Sequence, residues 1–232
     1  YEKRKSQYLL IKAPPASGKS RALMFIALDK LRKQGLKKVI VAVPEKTIGA
    51  SFKNTNLKDF GFEYNWEINP RYNLTTGGTE KSKVDTFIEF LKSNEDILIC
   101  THATLRFAYD KLSNDDEFDN CLLAIDEFHH VSADGTSILG EILKNIIRNT
   151  KAHIVAMTGS YFRGDTVAIL EPIDEEKFDK VTYTYYEQLD GYEYLKSFGI
   201  GFNFYQGKYL SALKEVLADR TFWPPTLPSR AQ

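Results

Sequence analysis

Cysteine is scarce. Cys100 and Cys121 are the only two, and each sits inside an apolar run (ILIC and CLLAI) where a thiol serves as a small core hydrophobe. They supply neither a disulfide framework nor a paired-cysteine metal site, and a reducing compartment is expected. No apolar stretch approaches the roughly 18 residues that a membrane span needs. The basic start, residues 1–5, is followed by only four apolar residues, too few for a secretory signal. A soluble, cytoplasmic protein with no membrane partner is the expectation. Fourteen glycines and eight prolines exclude a collagen-like or low-complexity chain, and 43% hydrophobic with 27% charged residues excludes disorder as the main state. No internal repeat with a period of about 20–50 residues is visible. The 232 residues leave room for one large domain, or one with an appendage, at roughly 100–200 residues per domain, and such a core needs no staples.

Net charge is also absent, with 31 Lys and Arg against 31 Asp and Glu, but the balance is uneven. Residues 1–60 carry fourteen basic against four acidic side chains, a net +10, and the remainder carries −10. A basic first quarter can meet a polyanion such as nucleotide phosphate or nucleic acid. For Lys30, Arg32, Lys33, Lys37 and Lys38 the plainer reading is a solvated helix end.

The apolar pattern alternates between two periods. Tyr8–Lys12 reads as a strand, 19–34 as a helix stopped by Gly35, and Lys38–Val43 as a β-branched strand. A helix from residue 45, an irregular aromatic stretch to Leu74, helices at 81–91, 102–112 and 137–149, and strands at 96–101, 121–126 and 153–157 continue the series. Strands that are apolar throughout, separated by helices, predict an α/β fold with a mainly parallel sheet and helices on both faces. Beyond residue 161 the character changes. Ten of the thirty aromatic residues fall within 183–209, a density suited to strands packing in a core or domain interface. The last nine residues, PPTLPSRAQ, hold three of the eight prolines and read as a loose tail.

Two constellations carry chemistry. Ala13-Pro14-Pro15-Ala16-Ser17-Gly18-Lys19-Ser20 lies between the first strand and the first helix. A phosphate chain needs main-chain N–H groups from a tight turn and a helix start, a lysine for its oxygens and a hydroxyl on Mg²⁺. Pro15, Ala16, Ser17, Gly18, Lys19 and Ser20 offer these in the right order. The second constellation, Leu122-Leu123-Ala124-Ile125-Asp126-Glu127-Phe128-His129-His130, ends an apolar strand in two carboxylates. Asp126 is thereby placed at the carboxyl edge of the sheet, where α/β proteins bind ligands. There Asp126, with Ser20, can hold Mg²⁺, and Glu127 can orient or deprotonate an attacking water. His129 and His130 raise a metal site as an alternative, but His102 and His153 lack ligand spacing, and structural zinc is not expected.

These segments, with Thr158-Gly159-Ser160, resemble motifs I, II and III of superfamily 2 helicases and translocases of the DExH type. Val41-Ala42-Val43-Pro44-Glu45-Lys46 is similar to motif Ia, Thr75-Thr76-Gly77-Gly78-Thr79 to motif Ib, and Thr101-His102-Ala103-Thr104-Leu105 to motif Ic. The resemblance covers about residues 8–165 and is specific as a set. It implies a RecA-like P-loop NTPase domain with ATP and Mg²⁺ as cofactors, in which Lys19, Asp126 and Glu127 carry catalysis. It also implies that His129, Thr158, Gly159 and Ser160 couple nucleotide state to a second domain. Pro44, Lys46, Gly77, Gly78, Thr101 and His102 would lie along a nucleic-acid backbone, a role for which small residues on loops are suited. Thr101 also fits a helix N-cap, and Gly77-Gly78 an ordinary turn.

Helicases of this kind use two RecA-like domains, and nothing after Thr158 resembles motifs IV to VI. The expectation is therefore a motor domain over residues 1–165, a connector toward a second RecA-like domain over 166–222, in which 183–205 looks like the connecting stretch and 208–217 like that domain's opening helix, and a tail over 223–232. The whole looks like the N-terminal half of an ATP-driven motor on DNA or RNA. It most resembles DNA-directed bacterial and phage members, including motor subunits of restriction enzymes. Two other classes stay open. One is another phosphate-loop enzyme, although neither N-K-x-D nor L-S-G-G-Q occurs. The other is a nucleotide-dependent binding module without motor activity.

Overall fold

The computed structural model describes residues 2–112, 114–130, 138–159 and 171–191. Its centre is a six-stranded sheet of β1 (Tyr8–Lys12), β2 (Lys38–Val43), β3 (Ile97–Thr101), β4 (Cys121–Ile125), β5 (His153–Thr158) and β6 (Asp179–Thr182). The strand order is β3-β2-β4-β5-β1-β6 and every pairing is parallel. Helices α1 (Lys19–Lys33), α2 (Glu80–Lys92), α3 (His102–Tyr109) and α4 (Ile138–Asn149) connect the strands, and two short helices follow, α5 (Pro172–Glu175) and α6 (Tyr185–Asp190).

Alternate strand residues point to opposite faces, and both faces are covered. Leu10, Ile40, Leu98, Leu123 and Ile154 meet Phe87 and Phe90 of α2, Leu105 of α3 and Leu143 and Ile146 of α4. Leu9, Val39, Val41, Leu122 and Val155 meet Leu23, Met24 and Ala27 of α1. This explains why the strands are apolar throughout. Both cysteines are buried and free; burial pushes the Cys100 thiol up, and the Cys121 thiol up to about 12.

Three local expectations change. The helix expected from residue 45 is only a 3₁₀ turn, Ile48–Phe52. Within that turn Gly49 presses so closely on Thr75 that an added Cβ would lie 2.3 Å from Thr75 Oγ1. The aromatic stretch after it folds over the α1 face. Trp66 is fully buried and donates its Nε1–H to Phe52 O at 2.9 Å. Lastly, the sheet takes β6 from a stretch expected as connector. Its exposed residues Asp179, Lys180, Val181 and Thr182 suit an edge, where charge deters further pairing, and the sequence has no apolar run to announce it. Tyr185 and Tyr186, expected in strands, lie exposed on α6; the rest of that aromatic group beyond Tyr183, the 208–217 helix and the tail lie outside the described residues. No helix among the described residues is long and apolar enough to cross a membrane.

The basic residues of the first βαβ unit divide in two. Arg32 and Lys33 are surface partners of Asp96 and Glu63. Lys30 and Lys38, expected in solvent, are buried. Lys38 donates to Ser93 O at 2.6 Å and Glu95 O at 2.7 Å. Lys30 donates to Ser6 O at 2.8 Å and to His153 Nδ1 at 2.9 Å, while Asp29 beside it accepts from Arg4 and Gln34. The segment before β1 is thereby tied to α1 and β5.

Burial, then the Lys30 charge, push His153 down to about 4 from 6.5. Between those values the unfolded chain binds the proton and the folded chain does not, so stability falls as pH falls through this window. Because the ring is only half-buried and solvent screens part of the effect, we predict a loss of about 1 kcal/mol between about pH 6.5 and 5 in urea denaturation. His153→Gln, which keeps an acceptor for Lys30 but does not titrate, is expected to flatten that slope; an unchanged slope contradicts the assignment.

Candidate functional site

Parallel strands leave all their carboxyl ends on one edge, and the strand order sets which loops meet there. Because β5 lies between β1 and β4, Thr158 at its end stands between the loop after β1 and the acids after β4. Ala13 N–H donates to Thr158 O at 3.1 Å, and Asp126 N–H to Ala42 O at 2.9 Å. The loop then turns through two left-handed residues, Ala16 (φ 59) and Gly18 (φ 86), and opens directly into α1. Gly18 meets this geometry without cost; Ala16 does not, and it marks strain in the loop.

Pro15 and Ala16 are exposed, and Ser17 and Ser20 half-buried. Ser17 Oγ is buried without a hydrogen-bond partner. Lys19 Nζ donates to two carbonyls of its own loop, Ala13 O and Pro14 O, both at 2.9 Å. Gly159 lies alongside, where an added Cβ would be 3.5 Å from Lys19 Nζ. A lysine and a hydroxyl are thus held inside a strained loop, with main-chain oxygens as the lysine's stand-in partners.

Across β5 the acids are held by each other and by the sheet. Asp126 is 5% exposed and its Oδ1 accepts the Glu127 N–H at 3.0 Å. Burial raises its carboxyl above the ordinary range; the Glu127 charge adds to this, while the Glu127 N–H and Lys19 oppose it. Glu127 has φ +50, a left-handed conformation that costs a residue with a Cβ roughly 1–2 kcal/mol. His129 Nδ1 lies 3.2 Å from Glu127 Oε2 and 3.0 Å from Thr158 Oγ1. A single imidazole therefore links the carboxylate after β4 to the end of β5. Ser160 lies outside the described residues.

The remaining predicted residues line the same edge toward β2 and β3. Pro44 is half-buried and Lys46 exposed at the end of β2. Gly77 and Gly78 are exposed before α2, and Gly78 has φ +109, which a glycine adopts freely. Thr101 caps α3, accepting the Thr104 N–H at 3.1 Å. It is buried, so its hydroxyl is committed to the cap. His102 Nε2–H donates to Asp126 O at 3.1 Å, which joins this row to the acids. One residue escapes sequence reasoning: Lys83, charged and four residues before Phe87 on α2, is buried at this edge. A cavity of about 360 Å³ borders the outer flank of the loop, with Ala22, Phe25, Ile11 and Tyr183 among its walls. Ser17 and Lys19 of the loop also line it, whereas Asp126 and Glu127 do not.

Residues 3–165 match the family described as DEAD/DEAH box helicase. A protein of Bacillus subtilis (strain 168) named "Putative ATP-dependent helicase YeeB" is 71% identical over 217 residues, which make up 94% of this chain and 36% of that protein. The chain thus spans about a third of the length of this relative. The crystal structure of the Pyrococcus furiosus Hef helicase domain aligns with a TM-score of 0.52 at 18% identity, covering 82% of this chain and 38% of that one. That likeness is one of fold: a RecA-like parallel sheet with helices.

The left-handed Glu127 yields a prediction. Glu127→Gly relieves the Cβ clash while adding chain entropy to the unfolded state, and is expected to leave stability unchanged or raised by up to about 1 kcal/mol in chemical denaturation. A loss of more than about 1 kcal/mol would show that the Glu127 side chain, through His129, holds this corner together.

Proposed function

The chain belongs to the DEAD/DEAH box helicases, and from that premise we propose that it is the ATP-binding, N-terminal motor half of a longer helicase or translocase acting on nucleic acid, with DNA favoured over RNA. The observation that carries this is the convergence of Lys19, Asp126, Glu127, His129 and Thr158 on one sheet edge. Those residues suit a magnesium nucleotide. Ser17 Oγ is buried with no partner, Lys19 rests on carbonyls that a phosphate would outcompete, and Asp126 is a buried carboxyl with a cation near it.

In this reading the loop from Pro15 to Ser20 wraps the phosphate chain with its N–H groups, and Lys19 swings from Ala13 O and Pro14 O to the phosphate oxygens. Ser20 and Asp126 hold magnesium. Bound magnesium supplies neutralisation of the charge that develops on the transferred phosphoryl group. Glu127 orients the attacking water and takes its proton, with its carboxylate steadied by His129. Because His129 also touches Thr158, a shift of Glu127 on turnover is passed to β5 and onward to a second RecA-like domain. Pro44, Lys46, Gly77, Gly78, Thr101 and His102 form the face toward the sugar-phosphate backbone, with Thr101 acting through its main chain.

Steady-state Mg²⁺-ATP hydrolysis by the full-length protein, alone and with single-stranded DNA or single-stranded RNA, tests this directly. Stimulation by a polymer is expected, lost in Lys19→Ala and reduced about 10²–10⁴-fold in Glu127→Gln. Hydrolysis that needs Lys19 yet ignores both polymers would assign the site to another kind of phosphate-loop enzyme. Unchanged turnover in Glu127→Gln would remove Glu127 from catalysis.

A further inference from the structure

The loop before α1 is touched from a side that its own motif does not foretell. Gln188, 173 residues further along the chain, donates its Nε2–H to Pro15 O at 3.2 Å. It belongs to α6, a helix of six residues in the stretch expected as connector. Its neighbours on that helix, Tyr185, Tyr186, Glu187 and Asp190, are exposed, whereas Gln188 is 9% exposed. A buried amide needs a hydrogen-bond partner, and the Pro15 carbonyl is one.

The fold fixes α6 where it can make this contact. β6 pairs with β1, the strand that runs into the loop, and the ladder continues one residue past Thr182, with Tyr183 N–H donating to Lys12 O at 2.8 Å. Thr184 and Glu187 then cap the helix reciprocally. Thr184 N–H and Oγ1–H donate to Glu187 Oε2 at 2.6 and 2.8 Å, and Glu187 N–H donates to Thr184 Oγ1 at 3.2 Å. The Tyr183 hydroxyl donates to Glu187 O at 3.0 Å. The helix is thus set at the end of β6, beside the loop, with Gln188 as its bridge to Pro15.

Gln188 grips one particular peptide. Ser17 N–H donates to Pro14 O at 3.3 Å, which closes a four-residue turn with Pro15 and Ala16 at its centre, and Ala16 has φ +59. Proline at the first central position and a left-handed residue at the second mark a type II turn. Types I and II differ by a flip of the central peptide, here the one joining Pro15 to Ala16, and an alanine favours type I, where φ is negative. Because a peptide is planar and trans, its C=O and N–H point in opposite directions. Holding Pro15 O against α6 therefore keeps the Ala16 N–H turned away from α6 and opposes the flip that alanine favours. We propose that Gln188 is a positioning residue for the phosphate loop: it keeps the Ala16 N–H turned toward the phosphate chain of the nucleotide, and through it α6 responds to whether nucleotide is bound. The proposal rests on the reading of this loop as the nucleotide site. It adds a residue outside every motif, and a link from the loop to the chain that follows α6.

Equilibrium binding of a fluorescent ATP analogue with Mg²⁺, and steady-state ATP hydrolysis, both on the full-length protein, test it. Gln188→Met keeps the length of the side chain and removes the donor. It is expected to weaken nucleotide binding and raise the KM for ATP by about three- to tenfold, the worth of one hydrogen bond. Its kcat should stay near the wild-type value, since an N–H that meets phosphate in ground state and transition state alike changes KM only. Gln188→Glu, which keeps the size and lacks the donor when ionised, should match it. Ala16→Gly lets the loop take the positive φ without help and should restore most of the loss when combined with Gln188→Met; a glutamine that served only to pack α6 would not be rescued from within the loop. Hydrogen exchange gives the reciprocal readout: Mg²⁺-nucleotide should slow exchange of the Gln188 and Gly191 amides in the wild type and not in Gln188→Met. Tyr186→Ala, at an exposed position on the same helix, should change none of these. Wild-type affinity and KM in a folded Gln188→Met or Gln188→Glu protein would overturn the proposal while leaving the nucleotide site intact, as would a loss that Ala16→Gly fails to restore, or α6 amides indifferent to nucleotide in the wild type. No nucleotide binding by the wild type would overturn both readings.

Discussion

The site depends on one pairing: β5 between β1 and β4, in parallel register with both. That pairing brings Thr158 O to the Ala13 N–H and Thr158 Oγ1 to His129 Nδ1, so the end of a single strand touches the phosphate-loop side and the acidic side. Were β1 and β4 adjacent, Lys19 and Glu127 would meet without an intermediary. With β5 inserted, anything that moves Glu127 or the loop is felt by Thr158. The same residue lies fully buried inside the sheet, and a packed core shifts between discrete arrangements and does not deform continuously, which suits the relay role proposed for it.

Around that relay the chain tolerates features that a purely structural protein would lose. Ala16 and Glu127 are left-handed without being glycine, Ser17 Oγ is unsatisfied, Lys19 is folded back on its own loop, and Lys83 is buried without an acceptor. All of these lie at the carboxyl edge. At the opposite end, Lys30, His153, Asp29 and Arg4 form a fully paired network that anchors the first residues. The contrast is between a paired network that holds the fold and an edge where strained backbone and an unsatisfied hydroxyl gather.

Much of this was legible in the sequence because it rests on local signals. Strands buried on both faces show as β-branched apolar runs, the phosphate loop as Gly18-Lys19-Ser20 between a strand and a helix, and the acids as the end of such a run. What escaped rests on contacts between distant residues. The close packing of Gly49 on Thr75, in the 3₁₀ turn that replaces the helix expected after Glu45, involves a residue from beyond the Trp66 segment. The strand at Asp179–Thr182 is an exposed edge defined by its partner β1. The burial of Lys30, Lys38 and Lys83 could not be read from residue type, since a lysine on a helix or at a strand start ordinarily faces water. For Thr101 both sequence readings referred to one place, and the structure shows the cap to be what the hydroxyl does.

In the proposed function Lys19 waits on loop carbonyls for a magnesium nucleotide that Ser20 and Asp126 would help to hold. A crystal structure of the protein with Mg²⁺ and a non-hydrolysable ATP analogue tests it most directly. Lys19 Nζ is expected to be detached from Ala13 O and Pro14 O and bonded to phosphate oxygens, with Ser20 and Asp126 on the metal and Glu127 facing the terminal phosphate while His129 stays on Thr158. Lys19 still seated on its own loop with nucleotide bound elsewhere would contradict it.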